Sequence, residues 1–169
     1  MAVAQRVMDN TEFASRMETI KARLFRTAVL YVGSESVALE AVDEAIFRGF
    51  LSLNKLRQPE FLETWVTRIL LNECKKELRR SRRKKPLDAL PPDALAEIPD
   101  ESAAKAFDAL PLKEALLRLP AELKDVVILR YFSGFTLAQT AQSLDLPQGT
   151  VVTRQRRALR LLRLELAEE

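Results

Sequence analysis

TLAQTAQSLDLPQGTVVTRQRRALRLLR, residues 136–163, reads as a short helix, a break and a longer helix loaded with arginine. Thr136 is of a type that caps helix N-termini, and apolar residues recur at helical steps through residue 144. Leu146, Pro147, Gln148 and Gly149 then interrupt the pattern. Thr150 is placed to cap the second helix, which runs almost to the end of the chain. Ala138, Ala141 and Leu144 are expected to pack inward from the first helix, and Val151, Ala158 and Leu161 from the second. Small alanines at the crossing let the two axes come close. The result is a helix-turn-helix, in which one helix braces while the other enters the major groove of DNA.

The outward positions of that second helix are candidates for DNA contact. Arginine suits bidentate bonding to guanine edges, and threonine and glutamine reach phosphates or bases. Thr136, Gln148, Thr150, Thr153, Arg154, Arg156 and Arg157 are the residues expected to meet DNA here. An arginine run alone also fits a solvated helix face. The capped short helix and the tight turn ahead of it favour DNA.

Working outward, the 169 residues hold only four glycines, while Leu, Ala, Arg, Glu and Lys dominate. That composition suits long helices with few tight turns. The expected fold is all-α, with two small helical domains joined by a flexible linker. There is no histidine and a single cysteine, Cys74. No metal site, cofactor or catalytic constellation is therefore expected, and the chain does not read as an enzyme. No apolar run approaches the roughly 18 residues of a membrane span, so a cytoplasmic protein without membrane insertion is expected.

The net charge of +3 conceals a strong segregation. Lys75, Lys76, Arg79, Arg80, Arg82, Arg83, Lys84 and Lys85 face one acid, Glu77. Arg154, Arg156, Arg157, Arg160 and Arg163 form a second basic cluster with no acid among them. Between the two, residues 84–107 carry four prolines and several acids, the composition of an extended linker. Two basic patches across an acidic tether suggest two contacts with one polyanion. The domains are expected at 10–83 and 108–166.

The N-terminal half reads as a helical bundle. Phe13, Met17, Ile20, Leu24, Ala28 and Tyr31 give a long first helix ending near Gly33, after which Ser34 can cap the next. Leu39, Val42, Ile46, Phe50 and Leu53 make the expected buried stripe of the second helix. Leu62, Trp65, Val66, Ile69, Leu70 and Leu78 do so for the third. On the third helix Thr67, Arg68, Asn72, Lys75, Lys76, Arg79 and Arg83 are expected opposite Trp65 and Ile69, as a polar and basic stripe for nucleic acid. On the second, Glu40, Asp43, Glu44 and Phe47 share one face. Acids repel DNA, so an outward Phe among them fits a protein partner.

Two blocks of the chain resemble the ECF sigma factors of bacterial RNA polymerase. LFRTAVLYVGSESVALEAVDEAIFRGF with TWVTRILLNECKKELRRSRR is similar to sigma region 2. LLRLPAELKDVVILRYFSGFTLAQTAQSLDLPQGTVVTRQRRALRLLR is similar to region 4. The resemblance implies a specificity subunit that binds core polymerase at the clamp helices of the largest subunit and the flap of the second, and opens promoters. It implies that Glu40, Asp43, Glu44 and Phe47 bind core. Arg68, Asn72, Lys75, Lys76, Arg79 and Arg80 would lie on the −10 side, and residues 56–61 would take a flipped base. Thr136, Gln148, Thr150, Thr153, Arg154, Arg156 and Arg157 would face the −35 element. An anti-sigma factor is the further partner it implies. The chain departs from the family at Lys76, where an acid is common, at Asp43, where Gln is common, and at Val152, in place of a common Lys. The altered recognition helix and the short Gln58-Pro59 loop imply an individual promoter preference.

Two other readings stay open on sequence alone. A helix-turn-helix regulator acting without core polymerase would bind an inverted repeat by itself. A sigma-like adaptor would bind an anti-sigma factor without supporting transcription.

Overall fold

The computed structural model describes residues 6–84 and 110–167, and every regular element among them is helical. The described residues form two compact units, one N-terminal and one C-terminal. The fold is thus all-α with two helical domains, as expected. The linker expected at 84–107 lies, beyond its first residue, outside the described residues.

In the N-terminal unit, α1 spans Asn10–Val32, α2 Glu35–Leu51 and α3 Leu62–Lys84. Asp9 caps α1 by accepting from the Glu12 amide at 2.8 Å, a bond of the kind worth about 1 kcal/mol. Gly33 ends α1 with φ at 75°, a left-handed conformation that glycine adopts without Cβ strain. Ser34 caps α2 as expected. Two 3-10 turns, Leu53–Lys55 and Pro59–Phe61, lead into α3.

The buried face of α2 differs from the expected stripe. Val42 is buried as expected, but Leu39 and Phe50 are exposed, and Ala38, Ala41, Ala45 and Gly49 face the core beside Val42. The cause is close packing: a Cβ on Gly49 would sit 3.4 Å from Phe13 and 3.7 Å from Trp65. Small residues therefore line the contact, and the larger side chains turn to solvent. Leu53 is buried, but from the turn after the helix.

The C-terminal unit contains α4 (Leu110–Arg118), α5 (Ala121–Val127), α6 (Leu137–Leu144) and α7 (Gln148–Ala167). α5 is central. Its Leu123 and Val127 join Ala115, Leu116, Leu119, Ala158 and Leu162 in one cluster, while Val126 joins Ala141 and Val151 in another. A fully buried aliphatic side chain contributes about 1.5–3 kcal/mol, so α5 holds the helix-turn-helix to the rest of the unit. Beyond Val127 the chain continues from α5 with a change of pitch. Ile128–Phe132 is a π turn, with the Ser133 amide donating to the Ile128 carbonyl at 2.9 Å.

Candidate nucleic-acid interface

α6 opens with a capping box. The Gln139 amide donates to Thr136 Oγ1 at 3.1 Å, and the Thr136 amide to Gln139 Oε1 at 2.9 Å, which satisfies two otherwise orphaned donors. Thr136 thus has a structural task besides the DNA contact expected of it. Ala141 is buried and Leu144 half-buried as expected, but Ala138 is exposed. Thr140 and Ser143 are buried in its stead. Thr140 fits because its hydroxyl donates to the Thr136 carbonyl at 2.9 Å.

α7 starts three residues earlier than expected, at Gln148. The Pro147 carbonyl accepts from the Thr150 and Val151 amides, so Thr150 is not the cap but part of the first turn. Gln148, Thr153, Arg156 and Arg157 are exposed, and Thr150 and Arg154 half-buried. The Thr153 hydroxyl donates to the Gly149 carbonyl at 3.0 Å. Arg154 Nη2 lies 3.7 Å from Glu122 Oε2. Gly149, Thr150, Thr153, Arg154 and Arg157 line one side of a groove of about 620 Å³, with Glu122 and Leu123 of α5 on the other.

The register of α7 is held from behind. Arg130 Nε donates to Gln155 Oε1 at 3.1 Å, and its Nη1 to the Phe135 carbonyl at 2.8 Å. One guanidinium therefore ties the π turn, the loop before α6 and the second helix together. Sequence spacing gives no sign of this clamp, because its partners lie 25 and 5 residues away.

In the N-terminal unit, Arg68, Asn72, Lys76, Arg79 and Arg80 of α3 are exposed and Lys75 is half-buried. Thr67, expected among them, is buried. Trp65 and Ile69 are half-buried and flank the basic stripe rather than opposing it. Residues 65, 68, 69, 72 and 76 follow helical steps of three and four, which share a face. The core side of α3 holds Leu62, Val66 and Leu70 as expected, joined by Thr67, Leu71 and Cys74. Lys76 lies on Glu73 at 3.3 Å and Arg80 on Glu77 at 3.3 Å. The turn ahead of α3 is tied to α1. Arg16 Nη1 donates to the Pro59 carbonyl at 2.6 Å, and Arg23 pairs with Glu63.

On α2, Glu40, Asp43 and Phe47 are exposed, Phe47 by 56%, and Glu44 is half-buried beside Arg48 at 2.8 Å. The apolar part of this face is larger than the spacing predicts, since Leu39, Phe50 and Leu51 are exposed as well. A mixed apolar and acidic helix face suits a protein partner.

Residues 17–84 match the family model for sigma-70 region 2, and residues 115–164 that for sigma-70 region 4. The chain is 31% identical to the RNA polymerase sigma factor SigV of Bacillus subtilis over 149 residues, 88% of this chain and 87% of that one. The chain belongs to the ECF sigma factors of RNA polymerase. It is also 31% identical to the ECF RNA polymerase sigma factor SigM of Mycobacterium tuberculosis, over 84% of this chain and 71% of that one. Among solved structures, its fold is similar to that of the sigma factor RpoE from Bartonella quintana, determined in complex with the anti-sigma factor NepR. The TM-score is 0.70 at 21% identity, covering 93% of this chain and 98% of that one. In this sigma factor no helix among the described residues is long and apolar enough to cross a membrane.

Proposed function

We propose that this sigma factor binds core polymerase and directs initiation at promoters read in two places. The observation that carries the reading is the order of the two matches on one chain, region 2 at 17–84 and region 4 at 115–164, each spanning a basic helix. Glu40, Asp43, Glu44 and Phe47, with the neighbouring Leu39, Phe50 and Leu51, bind the clamp helices of the largest subunit. The flap of the second subunit takes region 4. Arg68, Asn72, Lys75, Lys76, Arg79 and Arg80 serve the −10 element, and the turn at 56–61 receives a flipped base.

The −35 element is read by Gln148, Thr150, Thr153, Arg154, Arg156 and Arg157, with Thr136 at the start of α6. The functional domains run 10–83 and 108–166, and 84–107 tethers them. Each contact is weak alone, so promoter affinity arises from linking the two. The protein works in the cytoplasm and is silenced by an anti-sigma factor, as the complex reported for RpoE suggests.

The test is reconstitution. Purified chain added to core polymerase and a library of genomic fragments should yield discrete run-off transcripts. Absence of any transcript, with core shown active on another sigma factor, overturns the reading.

A further inference from the structure

The second helix of the helix-turn-helix carries no acid from Gln148 to Leu164, yet a carboxylate from another element reaches into its groove. Glu122, in the first turn of α5, has a side chain 53% exposed and lies 3.7 Å from Arg154 Nη2. It lines the same groove as Thr150, Arg154 and Arg157. On a DNA-facing surface an acid weakens attraction to phosphate, so its presence needs a compensating role.

An unrestrained arginine is drawn to whichever phosphate is nearest, whereas base reading needs its planar fork held in one direction. Among the described residues Arg154 is the outward arginine of α7 that has an acid beside it, and its side chain is only 30% exposed. Arg156 and Arg157 are exposed and have no acidic partner among the described residues, which suits phosphate contact. We infer that Glu122 is a specificity-determining positioning residue. It turns Arg154 away from the DNA backbone toward base edges and excludes phosphate from that side of the groove. The inference rests on the reading of α7 as the −35 helix.

The experiment uses full-length chain bound to core polymerase and two DNA probes: a promoter fragment recovered from the run-off library, and the same fragment with its −35 half scrambled. Binding is measured across a range of salt concentrations for wild type, Glu122→Gln, Glu122→Asp and Arg157→Ala. Glu122→Gln should bind the scrambled probe more tightly and lower the ratio between probes by about fivefold. Its log K against log salt slope should steepen by about 0.9, the signature of one more phosphate contact. Glu122→Asp, which keeps the charge, should keep most of the discrimination.

An acid that only stabilises the start of α5 would lower the melting temperature in Glu122→Gln without moving either ratio or slope. That outcome overturns the inference, as does equal weakening on both probes, provided Arg157→Ala has lost binding. If Arg157→Ala binds as wild type, the reading of α7 fails first and this inference falls with it.

Discussion

Arg48 and Glu73 meet across the α2–α3 interface, Nε to Oε1 at 2.9 Å, with the Glu73 side chain only 7% exposed. Arg48 also holds Glu44 at 2.8 Å, and Glu73 also takes Lys76 at 3.3 Å. The acidic face of α2 and the basic stripe of α3 are thereby joined through one guanidinium and one buried carboxylate. Arg48→Ala leaves that carboxylate with Lys76 alone. A loss of about 1–2 kcal/mol is expected, since Arg48 itself is half exposed. Urea denaturation checks it, and combining Arg48→Ala with Glu73→Gln should cost less than the sum of the two.

Gly49 separates two effects of side-chain size. Its added Cβ would meet Phe13 at 3.4 Å, an ordinary contact, and alanine restores helix propensity. Gly49→Ala is expected to stabilise by up to about 1 kcal/mol. Gly49→Leu must displace Phe13 or Trp65 and should destabilise by about 1–3 kcal/mol. Thermal melts of the two variants should move in opposite directions.

α6 ends at Asp145, a non-glycine residue with φ at 54°. A glycine there relieves the left-handed strain, so Asp145→Gly should stabilise the protein by about 0.5–1 kcal/mol. The denaturation midpoint should rise while promoter affinity stays unchanged.

The two faces of the protein should fail independently. Arg157→Ala is expected to weaken promoter binding about tenfold or more and to leave association with core polymerase intact. Phe47→Ala should do the reverse, weakening the chain's affinity for core about tenfold or more. Pull-down on core polymerase and footprinting of the holoenzyme distinguish the two patterns.

Helix limits were legible wherever a local signal exists. Gly33, Ser34 and Thr136 mark ends through their own backbone or side-chain chemistry, and the structure has them in those roles. Facing was less legible. On α2 the spacing places Leu39 and Phe50 inward with Val42, whereas the helix lies against its neighbours through Ala38, Ala41, Ala45 and Gly49, and apolar size alone does not tell such a small-residue contact from a solvent face. Thr150 was misread as a cap because Pro147 can open a helix without a side-chain cap. Around the candidate interface, the residue types of α3 and α7 announced themselves, but the clamps did not. Arg130–Gln155, Arg16–Pro59, Arg48–Glu73 and Arg154–Glu122 join elements 25 to 43 residues apart. No period within a single helix encodes such a pairing.

The hold of Arg130 on Gln155 bears on how this sequence could diverge. Because α7 is locked from its rear by that guanidinium and by buried Val151 and Ala158, its rotation about its own axis does not depend on what it presents in front. Exposed positions such as Gln148 and Arg156, with half-buried Val152, can be exchanged while the frame keeps its shape. The fold thus behaves as a fixed holder for a replaceable reading edge, and a small number of substitutions on that edge would be enough to move the protein to a different set of promoters.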